Sequence, residues 1–517
     1  MNPKSSYVHG RRAFGVAVPI VVAGALFVAA LPVSAAKNAE RDGIGLLSMQ
    51  DVAKLGGKRP PPPKTKASKG KSDAAKGKTD AAKGKVEADA VTISATGFTV
   101  DPRRSLIDTD AAIQSAFPIL VVLNTLAAGS PNSMIARQFY DQWMDVHNMA
   151  PGIGTGGHCN DEMTNGVPTL NGFQFDCGRA EGRLVGTNPT DGNPSSRFQA
   201  VAIVNRFDLA TDPRKGGTDC GEYRITYAKK SGVTNTTDRM QIIFEGVLPN
   251  PKPNGVDLTG CRPVQEFWAG LSQVADPVQR ANQLKTFFFT GLPGFAPVVK
   301  AAHFGFATPN ATGQIRTNLF MQFNWVLREY RLQIIDGRLK TVIQPNHQAP
   351  AALLFNETDP HPKGADFRTT FLDVVPSLSL NDINTFNTNG LPGRFDSGDS
   401  DQQHATKSNY AAQFANSPNF AAAIQQRLTA NGSSLTPQQV IDRSQAMSCA
   451  GCHQLSSGKN LGGGLVWPAS LGFVHVSEAL RETGPEGQSR FKISPALIDV
   501  FLPRRKAVME SFLNGVQ

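Results

Sequence analysis

Residues 222–227 read Glu222-Tyr223-Arg224-Ile225-Thr226-Tyr227, and this alternation of polar and apolar side chains is typical of a β-strand. Residues 200–204 form a short, apolar, β-branched run before it, and residues 240–244 are a further strand candidate after it. A hairpin is predicted over residues 325–342, where Asp336-Gly337 supplies the turn. The middle of the chain therefore contains several neighbouring strands.

Helical patterns lie on both sides of these strands. Residues 108–126 are mostly apolar, and residues 133–147 place large apolar side chains at near-helical spacing. Two more helical patterns occupy residues 263–274 and 277–289. Because strands and helices cluster instead of alternating, the fold class is predicted to be α+β, with a large central domain at residues 93–403.

Four cysteines of the central region predict that this domain contains disulfides. They are Cys159, Cys177, Cys220 and Cys261. An even number of cysteines in an exported chain suggests two disulfides, for which three pairings exist. Proximity in the sequence favours Cys159 with Cys177 and Cys220 with Cys261.

The central region contains no motif that identifies a chemistry. Charged residues on or beside its predicted strands are Arg206, Asp208, Glu222 and Arg224. Its loops contain the scattered histidines His158, His303, His347 and His361. Hydrolase, zinc-peptidase and phosphate-loop signatures are absent from the sequence, so the role of this region stays open.

Near the C-terminus the chain reads Cys449-Ala450-Gly451-Cys452-His453. Two thiols at this spacing can add to the two vinyl groups of one porphyrin, and the adjacent histidine can bind the iron. Alternative interpretations are a local disulfide, a thioredoxin-like redox pair, or half of a zinc site. A zinc site normally needs further ligands at short spacing, and the next Cys or His is His475.

The segment before the motif has the pattern of a helix start. Thr436 can cap the helix, Pro437 suits its first position, and Gln439 completes a capping box. This helix followed by Cys-x-x-Cys-His resembles class I cytochrome c over about 85 residues. The resemblance implies a small, mostly helical C-terminal domain at residues 404–517 that contains one covalent haem c.

The resemblance implies roles for the motif residues. Cys449 and Cys452 become the thioether attachment sites, and His453 becomes the proximal iron ligand. For the sixth ligand the sequence offers Met509, the only later methionine, or His475 as its rival. A third option is an open position that permits oxygen, peroxide or nitric oxide chemistry. The single motif separates this chain from dihaem peroxidases.

Residues 1–35 predict export. Lys4, Arg11 and Arg12 precede an apolar stretch, and Val33-Ser34-Ala35 presents the small residues that a signal peptidase recognises. A membrane anchor and a twin-arginine signal are the alternatives, and the general secretory route is favoured. We therefore expect a bacterial protein that is periplasmic or secreted.

Residues 36–92 are rich in Lys, Ala and Pro and are predicted to be a disordered linker. The net charge of +10 resides mainly in residues 1–90, so residues 91–517 are close to neutral. A nucleic-acid partner is therefore not expected. The basic linker is either a plain spacer or a tether to the anionic cell envelope.

These observations predict an exported c-type haem protein that exchanges single electrons with a redox partner protein. The first alternative is a haem enzyme or gas sensor with an open coordination position. The second is an envelope binding or structural protein without haem, in which Cys449 and Cys452 form a disulfide.

Overall fold

The computed structural model describes residues 97–152, 156–305, 313–322 and 324–515. The predicted signal peptide and linker lie outside these residues. The fold class is α+β, as expected. Helices within the described ranges, in chain order, are α1 Pro102–Ser105, α2 Ala111–Ser115, α3 Ile119–Ala127, α4 Ala136–Asp145, α5 Arg262–Gly270, α6 Pro277–Lys285, α7 Gly364–Phe371, α8 Val375–Leu378, α9 Ala405–Ser408, α10 Tyr410–Phe414, α11 Pro418–Ala430, α12 Pro437–Met447 and α13 Leu502–Asn514.

An antiparallel sheet forms the centre of the described structure. The strands, in chain order, are β1 Ile107–Asp108, β2 Met163–Thr164, β3 Val167–Leu170, β4 Phe173–Gln174, β5 Phe198–Arg206, β6 Asp219–Lys229, β7 Met240–Pro249, β8 Gln314–Leu319, β9 Val326–Ile335, β10 Arg338–Gln344, β11 Ser400–Asp401, β12 Asn460–Gly462, β13 Leu465–Val466, β14 Val476–Thr483 and β15 Ser489–Ile493. The large sheet has the order β1-β5-β6-β7-β8-β9-β10, and β11 pairs with β9 beside β10. Smaller sheets form from β2–β4, β12–β13 and β14–β15.

The period-two alternation of the strands gives the large sheet two different faces. On β6, Tyr223, Ile225 and Tyr227 belong to the main hydrophobic core. The intervening Glu222 and Arg224 line a cavity on the opposite face. Strands β7 and β8 repeat this division. Residues 222–227 thus contribute alternately to the core and to a polar surface.

Helices pack against the apolar face through aromatic contacts. Trp143 of α4 contacts Phe244 and Tyr330 edge-to-face, with ring centroids 5.7 and 6.1 Å apart. Trp268 of α5 stacks on Tyr223 at 5.8 Å. Such geometry lets large rings fill the layer between helices and strands.

A second hydrophobic core lies among helices α7, α8 and α10–α12. Phe355 is at its centre, stacked on Tyr410 at 4.4 Å and edge-to-face with Phe367. Helix α12, which precedes the Cys-x-x-Cys-His motif, contributes Val440 and Ile441 to this core. Helices α10–α12 of the predicted C-terminal segment therefore share this core with α7, α8 and Phe355, and the segment in addition contains β12–β15.

Several local predictions are confirmed. The strands β5, β6 and β7 cover the predicted runs, and β9 and β10 form the hairpin with Asp336 and Gly337 at positive φ. The predicted helix over residues 108–126 is instead divided into α2 and α3, because Pro118 cannot continue α2 and caps α3.

The disulfides follow the pairing that proximity favoured. Cys159 is bonded to Cys177 and Cys220 to Cys261. None of the helices in the described ranges is long and apolar enough to cross a membrane. The predicted domain boundary between residues 403 and 404 stays a prediction.

Candidate functional site

The Cys-x-x-Cys-His motif lies directly after helix α12. Thr436 and Gln439 form the expected capping box at the start of this helix, and the helix ends at Met447. The chain then makes a π-helical turn over Gly451–Leu455. π-Helical turns are rare in proteins, and many of those that occur lie at functional sites.

Glycine is required at position 451 for steric reasons. A Cβ atom there would lie 1.7 Å from the carbonyl oxygen of Gln445. The Ser448 side chain accepts a hydrogen bond from the Gly451 amide at 3.1 Å and donates one to the Gln445 carbonyl at 2.7 Å. These contacts pack the turn closely against the end of α12 and so position Cys452 and His453 relative to this helix.

A cavity of about 370 Å³ separates the motif from the polar face of the large sheet. This volume falls in the range of roughly 300–1,000 Å³ that is common for small-molecule and cofactor sites. Cys449, Cys452, His453 and His475 all line it. The fold thus brings one of the two sixth-ligand candidates, His475, to the motif.

His453 is held in one tautomer by the backbone. Its Nδ1 lies 2.8 Å from the carbonyl oxygen of Phe473, which can only accept, so Nδ1 carries the proton and donates it. The Nε2 atom then has a free lone pair. Burial lowers the pKa of His453 to about 4, so the ring is neutral at physiological pH. A ring in this tautomer is able to bind a metal through Nε2.

His475 lies beside His453, with ring centroids 4.8 Å apart. Its Nδ1 is 2.9 Å from Ser494 Oγ, and its Nε2 is 3.4 Å from Cys452 Sγ. Burial lowers the pKa of His475 well below its usual value, and the neighbouring His453 adds to this effect. Both imidazoles are therefore neutral, and a neutral imidazole can bind a metal through a nitrogen lone pair.

Met509 lies in a different environment. It is fully buried in the main hydrophobic core, and Asn205 Nδ2 approaches its sulfur at 3.9 Å. Its neighbour Val508 lines the cavity, but Met509 does not appear in the lining. The structure does not bring Met509 to the motif.

Cys449 and Cys452 are free thiols, whereas the other four cysteines are oxidised. Burial raises the pKa of Cys449, and it raises the pKa of Cys452 to about 12, with a smaller contribution from Cys449. Both thiols are therefore protonated in the folded chain. They face the cavity side by side with a neutral histidine.

The sheet contributes a layer of arginines and carboxylates to the opposite wall. Arg224 Nη1 lies 3.1 Å from Glu245 Oε1, and Arg316 Nη1 lies 3.0 Å from Glu245 Oε2. Arg316 also contacts Glu329 at 3.2 Å. Two of these pairs are direct cross-strand partners, since Arg224 faces Glu245 and Arg316 faces Glu329 in the sheet register.

Arginines outnumber carboxylates around the cavity as a whole. Among the described residues, the lining contains six arginines and three carboxylates, and Glu329 lies behind Arg316. Burial raises the pKa of Glu245, whereas arginines hold the pKa of its neighbour Glu222 low despite burial. Burial also lowers the pKa of Arg505 to about 9, which leaves it charged at neutral pH. The arginines are Arg206, Arg224, Arg316, Arg331, Arg504 and Arg505, and the three lining carboxylates are Asp208, Glu222 and Glu245.

An aromatic wall flanks His453 on another side. Trp325 lies 5.5 Å from the His453 ring and stacks on Phe473 at 5.6 Å. Trp325 Nε1 donates to Asn318 Oδ1, and Asn318 Nδ2 donates to the Phe473 carbonyl. The carbonyl that fixes the His453 tautomer is therefore itself held by the sheet.

The four charged residues selected from the sequence all line this cavity: Arg206, Asp208, Glu222 and Arg224. His347 lines it as well, whereas His158 lines a different cavity, next to the Cys159 disulfide. His303 is buried near Val298, and His361 stacks on Phe173. None of these last three histidines is brought to the motif.

Sequence reasoning missed Glu245, Arg316, Arg331 and Arg505. Glu245 and Arg316 are polar positions on otherwise apolar strands, in phase with Glu222 and Arg224. This period-two polar signal within buried strands could have identified Glu245 and Arg316. Comparisons with protein-family models, with curated proteins and with solved structures found no match.

Proposed function

We propose that this chain is an exported c-type haem protein that transfers single electrons through one haem attached to Cys449 and Cys452, with His453 as the proximal ligand. The observation that carries the proposal is the joint geometry of two free thiols and one tautomer-fixed histidine on a single cavity wall. Neither a structural disulfide nor a thioredoxin-like pair requires the histidine to present a free Nε2 atom.

The residues present fit such a group. Each thiol would add its sulfur to one vinyl carbon and its hydrogen to the other, so attachment needs reduced cysteines. The free state of both thiols satisfies this requirement. The arginines that line the cavity suit the two propionate carboxylates. When bound, the haem would supply the one-electron iron couple.

The chain's own residues define the environment of that couple. The Phe473 carbonyl orients His453 and increases the basicity of its ring. Trp325 and Phe473 exclude water from one side of the ring. The arginine layer places positive charge nearby, which favours the reduced state.

His475 is the better candidate for the sixth ligand. It lines the same cavity as His453, whereas Met509 is in the hydrophobic core. Histidine ligation on both sides gives a lower potential than methionine ligation. We therefore expect an electron carrier with a potential below that of methionine-ligated cytochromes, and a redox partner protein that docks near the cavity.

A haem enzyme with an open position is the second candidate. It is favoured by the polar groups of the wall, where Gln314 Nε2 donates to Glu245 Oε2 at 2.6 Å. A carboxyl group with a raised pKa can deliver a proton to a bound ligand. Carbon monoxide binding to the ferrous protein separates the candidates, because a closed iron binds it slowly or not at all.

The test of attachment is a denaturing gel stained for haem, on protein expressed with the c-haem maturation machinery and an export signal. We expect a stained band at the mature mass. Cys449→Ser and Cys452→Ser should each weaken the stain, and the double variant should abolish it. The matched control is Ser470→Ala, whose hydroxyl donates to Gln454 at 3.2 Å. A strong protein band without haem stain would refute the proposal and leave a thiol pair of another function.

The test of coordination compares spectra of the purified proteins. His475→Ala should convert a low-spin ferric spectrum to a high-spin one and open the iron to carbon monoxide. An unchanged spectrum in this variant would eliminate His475 as the sixth ligand. Rapid carbon monoxide binding by the wild-type protein would favour the haem-enzyme candidate.

A further inference from the structure

A group of side chains of metal-ligand type lies outside the cavity, around the short loop between β11 and α9. The potential ligand atoms of Asp176, Asp401 and His404 all lie within 4.8 Å of one another. Asp401 is the last residue of β11, and His404 is the N-cap of α9. Asp176 precedes Cys177, so the Cys159–Cys177 disulfide anchors its loop.

Lysine and arginine side chains form ion pairs with Asp176 and with the neighbouring Asp399, but none is paired with Asp401 among the described residues. Lys407 forms ion pairs with Asp176 and with Asp399, the latter at 3.0 Å. Arg328 Nη2 lies 3.5 Å from Asp399. Arg179 is 3.9 Å from Asp176, but it is closer to Glu181, at 3.1 Å.

Asp401 differs from these paired carboxylates. It is 0 % exposed, and its Oδ1 accepts the Gln403 amide at 2.8 Å. Its Oδ2 is buried and accepts no N–H or O–H hydrogen bond among the described residues, apart from the bond that its carboxyl group shares with Asp176. The nearest group that can become cationic is the His404 ring, with Nε2 at 3.7 Å. A buried carboxylate oxygen without a partner is costly unless a proton or a cation satisfies it.

Two occupants could satisfy this oxygen. A proton shared between the carboxyl groups of Asp176 and Asp401 is one of them. A divalent cation would satisfy both carboxylates and the imidazole together. The exposed His404, with 42 % of its side chain accessible, leaves an entry path and room for water ligands.

We propose that Asp176, Asp401 and His404 form a binding site for a divalent transition metal of the Zn²⁺ class. One imidazole with two carboxylates suits Zn²⁺ better than Ca²⁺, which prefers six to eight oxygen ligands. Metal binding at Asp176 competes with the Lys407–Asp176 ion pair, and Lys407 keeps Asp399 as its other partner at 3.0 Å.

The site connects to the motif through one strand. Asp401 pairs with Val326 of β9, and the Gln402 amide donates to the Trp325 carbonyl at 3.4 Å. Trp325 contacts the His453 ring. A metal bound here therefore fixes the segment that supports the aromatic wall of the cavity.

The experiment is a Zn²⁺ titration of the full mature protein after treatment with EDTA, followed by competition with a chromogenic chelator. The wild type should bind one equivalent that is lost in Asp401→Asn and weakened on the order of 100-fold in His404→Ala. The matched control is His361→Ala, which removes a histidine from another loop and should retain the equivalent.

Cobalt distinguishes this site from the thiols of the motif. Co²⁺ bound to carboxylates and imidazole gives weak visible bands, whereas thiolate ligation adds an intense near-ultraviolet charge-transfer band. The proposal requires the equivalent that is sensitive to His404→Ala to lack that band. Equal affinity in wild type and His404→Ala, or Ca²⁺ binding in preference to Zn²⁺, would overturn it. Because His404 is on the surface, this variant tests the site even if Asp401→Asn does not fold.

Discussion

The two faces of the large sheet are made of alternate residues of the same strands, and they have opposite chemistry. On one face Tyr223 and Phe244 pack against the tryptophans of α4 and α5, and Tyr227 contacts Phe244. On the other face Glu222 and Arg224 line a cavity with the motif. The first face follows from apolar burial alone, whereas the second retains buried charges.

Buried charges are a poor source of stability. Ion pairs such as Arg316–Glu245 lose hydration that their mutual attraction repays only in part. Apolar residues of similar volume would often serve stability as well or better. The polar face is therefore more easily explained by a ligand with negative charges than by folding.

The largest expected effect breaks the apolar face. Trp143→Ala removes a fully buried ring that contacts Phe244 and Tyr330. We expect the free energy of unfolding to fall by about 3–5 kcal/mol, since a large cavity remains. Urea denaturation of the apoprotein, followed by circular dichroism, measures the change. A loss below about 1 kcal/mol would contradict the assignment of this face as the main core.

The second prediction breaks the polar face. Arg316→Met leaves Glu245 and Glu329 with one close cation fewer. We expect a loss of about 2–3 kcal/mol, smaller than for an isolated buried pair because Glu245 keeps Arg224. Haem incorporation should fall as well, because the arginine excess decreases.

The double variant Arg316→Met with Glu245→Gln provides the control. It removes the charge of Glu245, one of the two carboxylates that lose a cation in the single variant, so stability should recover in part. If haem incorporation stays low while stability recovers, the arginine serves the ligand. Full recovery of both would show that the polar face is only structural.

Much of this contrast could be predicted from the sequence, because it depends on local patterns. The alternation at residues 222–227 predicts a strand, and Thr436 with Gln439 predicts the start of α12. Asp336-Gly337 predicts the hairpin turn. In each case the physical cause lies within a few residues.

The site itself depends on register between distant segments. Arg224 meets Glu245 because β6 and β7 pair in one register, and a shift by one residue would turn one of them to the other face. The contact between Phe473 and His453 joins a loop to a π-helical turn. Asp176 and Asp401 are 225 positions apart in the sequence. Such long-range pairings leave no local pattern.

The third prediction uses pH to sharpen the contrast in the apoprotein. The pKa of His453 is about 4 in the fold, against about 6.5 for an exposed histidine. Between these values the unfolded chain binds the additional proton, so stability falls as the pH drops from about 6.5 to about 4. His475 and the buried His147 change stability in the same direction, since burial lowers both pKa values.

Urea denaturation at several pH values isolates the contribution of His453. In His453→Gln the fall in the free energy of unfolding between about pH 6.5 and about pH 4 should be smaller by about 1–2 kcal/mol. The effect stays this modest because solvent reaches part of the His453 ring. The two proteins should have parallel profiles above pH 7. Parallel profiles down to pH 4 would mean that His453 does not lie in the buried, neutral state.

The smallest expected effect tests to which face Met509 belongs. Asn205 contacts the Met509 sulfur and pairs with Tyr223 in the sheet, so Met509 packs on the side of the apolar core. Met509→Leu conserves volume and should cost less than about 1.5 kcal/mol. The haem spectrum should not change, because no ligand is removed. Loss of a methionine-to-iron charge-transfer band in this variant would instead show that α13 delivers Met509 to the iron. His475 would then be a cavity residue without a bond to the iron.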